Sequence, residues 1–174
     1  MALVGFALIV GITVHEFSHA FLAYKMGDWT GKRLGRLTLN PKAHLDPLGT
    51  LLLFVVGFGW GKPVPVNVHA LSQGRRAMAL VAAAGPLSNV VIAFLVAIPF
   101  KLGVLDWQSP GVLNISSVGS SEMFSTVLVF IIYLNLLLAV FNLLPFFPLD
   151  GSKILMGILP ESMSEGMGRL ERFG

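Results

Sequence analysis

Residues 15–19 read His15-Glu16-Phe17-Ser18-His19, inside a long apolar run. On a helix, positions i and i+4 project from one face, so the two imidazoles can reach one metal ion together. Glu16, beside the first of them, is placed to take a proton from a water polarised by that ion. This is the HExxH arrangement of zinc hydrolases, with the Glu as general base. An ionised side chain at the centre of a membrane helix is unfavourable by roughly 2.5–3.5 kcal/mol on the translocon scale. A cation offsets that penalty. The bland alternative is a set of polar residues hydrogen-bonded to neighbouring helices, but buried intramembrane ionisable groups default to function.

A hydrolytic zinc site has three protein ligands and one open position. The chain contains no cysteine, so the third ligand is His, Asp or Glu. Asp28, Asp46, Asp106, Glu122 and Asp150 are the candidates by span geometry. Asp150 stands out because it closes the third long apolar run, just after Pro145 and Pro148. Those prolines would unwind the helix end and let the carboxylate turn inward. His15 lies about 20 Å along its own helix, past the midplane and towards the same side. An ordinary turn residue ahead of Gly151 fits that position equally well, so the position alone leaves the choice open.

The elements that must hold these groups are apolar. Of 174 residues 55% are hydrophobic and only 12% charged, against about 25% charged in an average soluble domain. The mean hydropathy is +0.78. Lipid is the solvent this composition suits, and the length suits one domain over residues 1–174. The net charge of +3 raises the question of nucleic acid, but five of the twelve basic residues lie between Lys25 and Lys42, beside a span. That placement reads as membrane topology, with no nucleic-acid partner.

Residues 2–24 form a first span of about 34 Å. Lacking a basic n-region, this start reads as a mature span rather than a cleaved signal. Residues 77–100 form a second, with a kink expected at Gly85-Pro86, and residues 123–147 a third. Residues 49–60 are apolar but too short to cross, and are expected to dip in and return. Arg36–Leu39 alternates like a short strand, and Lys62-Pro63-Val64-Pro65-Val66-Asn67 reads as an extended edge. Residues 101–121 read as a polar loop of low charge. The fold class is therefore an all-α polytopic helical bundle with a short re-entrant and β segment on the cytoplasmic side. If residues 49–60 return, every basic residue of the loops except Lys101 falls on one side, which the positive-inside rule makes cytoplasmic. The localisation expected is a cell membrane, multi-pass, with the site towards the cytoplasm.

Three separated motifs occur in order: His15-Glu-Phe-Ser-His19, then Gly85-Pro86-Leu87-Ser88-Asn89, then Asn142 through Pro145 and Pro148 to Asp150-Gly151. Together they resemble the site-2 protease family of intramembrane zinc metalloproteases. Arg36–Pro41, His44–Thr50 and Lys62–Asn67 resemble its compact prokaryotic branch, which lacks a PDZ insert. The resemblance covers nearly the whole chain. It implies His15, His19 and Asp150 as ligands of Zn2+ and Glu16 as catalytic base. It also implies Asn142 as a group assisting the reacting carbonyl and Asn89 as a residue close to the site. The implied partners are the bilayer and membrane protein substrates with a transmembrane helix. Phe147 stands where relatives often carry another Pro, and such proteins commonly continue beyond Phe173-Gly174 into a further span.

The rival function is a non-catalytic membrane protein that binds or transports metal with the same ligands; it needs no base at Glu16. Asn135, seven residues before Asn142, reads equally as an interhelical hydrogen-bonding group or as part of the site. His44 and His69 lack ligand spacing and read as structural or solvated.

Overall fold

The computed structural model describes residues 2–56, 59–107 and 120–170, and every regular element among them is helical. In chain order these are α1 (Ala2–Lys25), α2 (Thr30–Arg33), α3 (Pro47–Val56), α4 (Gly74–Lys101), α5 (Ser120–Asn142), α6 (Asp150–Ile158) and α7 (Glu161–Leu170). Single 3₁₀ turns occur at Pro41–Ala43 and Val68–Ala70. Within α1, α4 and α5, the stretches Leu3–Lys25, Gly74–Lys101 and Glu122–Asn142 are long and apolar enough to cross a membrane.

These three long helices pack pairwise against one another, and α6 lies along α4. Their contacts are made by small residues. Ala7, Ala20, Ala23, Ala77, Ala82, Ala93 and Ala139 are all sealed from solvent. Lipid tails are as apolar as leucine, so helices associate in a bilayer by close backbone approach rather than by hydrophobic burial. Many bulky residues point outward instead: Leu87 and Phe94 on α4, Tyr133 and Val140 on α5, and Phe6 on α1 are exposed. At one end Ile131 and Leu134 pack with Ala7; at the other Ala23, Leu71, Ala77 and Val81 form a second cluster.

The span ends are set locally. Gly27, at φ +103, closes α1, and the Asp28 N–H bonds back to Ala23 O at 2.9 Å. Only glycine adopts that backbone freely. Asp28 then ties the helix end to the long connection, accepting the Thr30 N–H at 2.9 Å and the Asn67 N–H at 2.7 Å. Burial pushes the Asp28 carboxyl up, but these bonds and the Arg33 charge outweigh it and hold it below its ordinary value.

Several expectations change. Neither Arg36–Leu39 nor Lys62–Asn67 is a strand; among the described residues β pairing is limited to one antiparallel bridge between Leu45 and Gly61. Pro63 and Pro65 each remove a ladder donor, and the Arg36 side chain turns inward to bond the Lys62 and Pro63 carbonyls at 2.6 and 2.7 Å. The third span ends at Asn142 rather than near 147, because a residue before proline is driven out of the helical region and Pro145 follows. The second span continues as one helix through Pro86, where a kink but no break is expected. Within the segment expected to be re-entrant, residues 47–56 form α3, while residues 57 and 58 lie outside the described residues. Most of the 101–121 loop, residues 108–119, lies outside them as well, as do residues 171–174.

Candidate metal centre

His15 and His19 leave α1 on one face, their ring centroids 4.7 Å apart and the rings nearly perpendicular. Each ring is held from behind by α4. His15 Nδ1 lies 2.6 Å from Asn89 Oδ1, and His19 Nδ1 lies 2.7 Å from the Val81 carbonyl. A carbonyl oxygen only accepts, so His19 carries its proton on Nδ1. Asn89 turns its amide nitrogen to Gly11 O, 3.2 Å away, which leaves Oδ1 facing His15 and fixes the same tautomer there. As neutral rings, both therefore aim an unprotonated Nε2 forward.

They aim at one place. Asp150 Oδ2 sits 3.0 Å from His15 Nε2 and 3.1 Å from His19 Nε2, and ligand atoms of the three residues lie within 4.8 Å of one another. All three residues are buried. With the rings neutral, three acceptors crowd together with no donor between them; a cation makes that favourable, and a metal ion satisfies all three at once.

Two glycines make the space. Val81, Gly85 and Asn89 recur every fourth residue and so share one face of α4. A Cβ on Gly85 would stand 2.5 Å from the Nε2 atoms of both His15 and His19. Gly151 follows Asp150 where a Cβ would collide with the Leu143 and Leu144 carbonyls. The chain unwound after Asn142 can thus fold back tightly and deliver Asp150 at the start of α6. Lys153, one turn on, places Nζ 4.0 Å from Asp150 Oδ1.

Glu16 stands beside this cluster but not in it. Its Oε2 accepts the Val64 N–H at 2.9 Å. Glu16, His15, His19, Asp150 and Asn142 line one cavity of about 100 Å³. Val64, Val66, Met78, Val81 and Ala82 supply its apolar wall. Asn142 gives one N–H to Leu138 O at 2.9 Å, leaving its second N–H for the cavity. Asn89 is placed differently: it is fully buried behind His15 and does not line the cavity. It orients a ring rather than meeting a substrate.

The other carboxylates expected as possible third ligands lie elsewhere. Asp28 serves the α1 end, Asp46 Oδ1 caps α3 through the Gly49 N–H at 2.8 Å, and Asp106 and Glu122 are exposed. His44 is fully buried, with Nε2 2.7 Å from Thr38 O, and its own carbonyl accepts the Lys62 N–H at 2.7 Å. Sequence reasoning did not find the Val64 contact with Glu16 or the cradle at Gly85. Gly85-Pro86 reads from the sequence as a kink and as the start of the Gly85–Asn89 motif; the four-residue spacing from Gly85 to Asn89, one helical face, is the signal for the cradle.

Apolar crossing helices that converge two imidazoles and a carboxylate beside a second carboxylate define a membrane metallopeptidase. Residues 3–168 match the model of peptidase family M50, and the chain belongs to that family and is a metalloendopeptidase. It is 45% identical over 167 residues to "Putative zinc metalloprotease YwhC" of Bacillus subtilis, covering 96% of this chain and 74% of that one. "Putative zinc metalloprotease Rip2" of Mycobacterium tuberculosis is 37% identical over 91 residues, 50% of this chain and 35% of the relative. "Putative zinc metalloprotease MJ0611" of Methanocaldococcus jannaschii is 30% identical over 149 residues, 83% and 64% of the two chains. No solved structure matches the chain significantly.

Proposed function

We propose that the chain is a zinc-dependent intramembrane endopeptidase that hydrolyses peptide bonds in transmembrane segments of membrane proteins. Residues 1–174 form its single catalytic domain, in a cell membrane with the site towards the cytoplasm. The observation that carries this reading is the convergence of His15 Nε2, His19 Nε2 and Asp150 Oδ2 with both ring tautomers fixed for ligation. Glu16 and Asn142 open onto the same cavity.

His15, His19 and Asp150 would hold zinc, which when bound lowers the pKa of a water towards about 7 and polarises a carbonyl. Glu16 takes the proton of the attacking water and returns it to the leaving nitrogen. Asn142 directs its free N–H at the oxygen on which charge develops. The apolar wall keeps bulk water away and strengthens these interactions.

The cavity, about 100 Å³, is small beside the roughly 300–1,000 Å³ of ordinary ligand pockets. A substrate helix must unwind, since its carbonyls are bonded internally, and the extended strand must displace part of the wall. The Lys62–Asn67 segment is suited to pair with it by β-augmentation. Its flanks are pinned by Arg36, His44 and Asp28. Val66→Pro removes one pairing donor without touching the bond to Glu16. It is expected to slow cleavage several-fold, mainly through KM, at unchanged zinc content; unchanged cleavage excludes pairing at that position.

The direct test is metal analysis beside cleavage of a generic transmembrane substrate. Wild-type protein is expected to hold one zinc and cleave. Asp150→Ala is expected to lose both, because two imidazoles alone leave the ion half-liganded. Retention of stoichiometric zinc by Asp150→Ala removes Asp150 from the ligand set.

A further inference from the structure

Behind the metal cluster runs a chain of buried amides that the proposed reaction does not use. Asn135, on α5, is fully buried, as is Asn89 on α4. Asn135 Nδ2 donates to Ile131 O at 2.8 Å, Asn89 Nδ2 donates to Asn135 Oδ1 at 2.7 Å and to Gly11 O at 3.2 Å, and Asn89 Oδ1 faces His15 Nδ1 at 2.6 Å. The relay thus touches all three spanning helices.

Its direction is dictated by its ends. Ile131 O and Gly11 O are carbonyls and can only accept. Asn135 must therefore turn its nitrogen to Ile131 and its oxygen to Asn89. Asn89 must then turn its nitrogen to Asn135 and Gly11, and its oxygen to His15. His15 in turn must hold its proton on Nδ1, leaving Nε2 free. The reverse orientation would set an amide oxygen against the carbonyl at each end, Ile131 O for Asn135 and Gly11 O for Asn89. We infer that Asn135 is a positioning residue for the metal centre: acting through Asn89, it fixes the His15 tautomer and so readies Nε2 as a ligand.

The consequence of losing it follows. Without the Asn135 acceptor, one Asn89 N–H is buried without a partner, and that is unfavourable in a lipid-embedded interior. Asn89 is then held only by Gly11 O at 3.2 Å, having lost the shorter 2.7 Å bond, and in the rotated amide an N–H faces His15 Nδ1. The ring proton moves to Nε2, and zinc must displace it to bind. Gly11 is part of the same fit, since a Cβ there would stand 3.2 Å from Asn135 Oδ1.

This inference rests on His15 as a ligand, so the experiment measures zinc affinity by chelator competition on the full chain in four variants. His15→Ala, Asn135→Leu, Asn89→Leu and the Asn89→Leu/Asn135→Leu double are compared with wild type, with thermal melting alongside. Partners behind a ligand typically contribute 10–100-fold in metal affinity. Asn135→Leu is expected to weaken zinc about tenfold, at the low end because it acts at one remove. Asn89→Leu is expected to weaken it at least as much, and the double no further than Asn89→Leu alone. A packing defect would instead lower affinity equally in both backgrounds, and that result overturns the inference, as does wild-type affinity in Asn135→Leu. Should Asn135→Leu fail to fold, Asn135→Ser carries the same cycle, since its short hydroxyl bonds back to Ile131 O and no longer reaches Asn89. If His15→Ala binds zinc normally, the ligand assignment itself falls and takes this inference with it.

Discussion

Glu16→Gln is expected to hold zinc at the wild-type level while cleavage of a transmembrane substrate falls by a factor of about 10²–10⁴, the range typical of a lost general base. That is about 3–5 kcal/mol of barrier. The substitution is mild in structure. Glutamine keeps an oxygen able to accept the Val64 N–H that Glu16 Oε2 now takes at 2.9 Å. It also leaves His15, His19 and Asp150 intact, and these three alone form the metal-capable group among the described residues. What glutamine cannot do is take up a proton. A protein that only binds or transports metal has no use for one, so paired zinc analysis and cleavage assays separate the two functions. Undiminished cleavage by Glu16→Gln would remove the base from the mechanism.

Gly85→Ala is the second large effect, and it comes from one methyl group. A Cβ there would stand 2.5 Å from both Nε2 atoms, in the space the ion must share, so rings or helix must give. The rings are not free to turn, because their Nδ1 atoms are bonded to Asn89 and Val81. The helix cannot retreat without loss either, because Asn89, Val81 and Gly85 all belong to α4. Either movement breaks the support of both imidazoles. Since loss of one such support typically lowers metal affinity 10–100-fold, zinc affinity is expected to drop by more than ~100-fold, with cleavage lost in parallel. Gly166→Ala, with nothing within 4 Å of the added carbon, is the matched control and should leave zinc unchanged. Normal zinc binding by Gly85→Ala would mean that the ion does not sit between these rings.

Much of the helical framework is legible in the residues themselves. Three apolar runs of span length give three helices long enough to cross, because the backbone can satisfy its polar groups in lipid only by coiling on itself. The i, i+4 pairing of His15 and His19 follows from helix geometry alone. Errors gathered where non-local partners decide. Arg36–Leu39 alternates as a strand does, yet the buried Arg36 guanidinium is worth more bonded to two carbonyls of residues 62 and 63 than exposed on a ribbon with no partner. The third apolar run reads to about residue 147, but hydropathy does not register where Pro145 stops the coil.

The sequence by itself determined the solvent, the helices and the pair of imidazoles, since each depends on neighbours within a few residues along one chain. Position along the chain left the carboxylate open until the family resemblance implied Asp150; only the tertiary structure brings it against the imidazoles, turns the amides that orient them and leaves them room at Gly85. His15 meets Asp150 across 135 residues and Asn89 across 74. No local periodicity encodes such distances; they exist only once α1, α4 and α5 have packed.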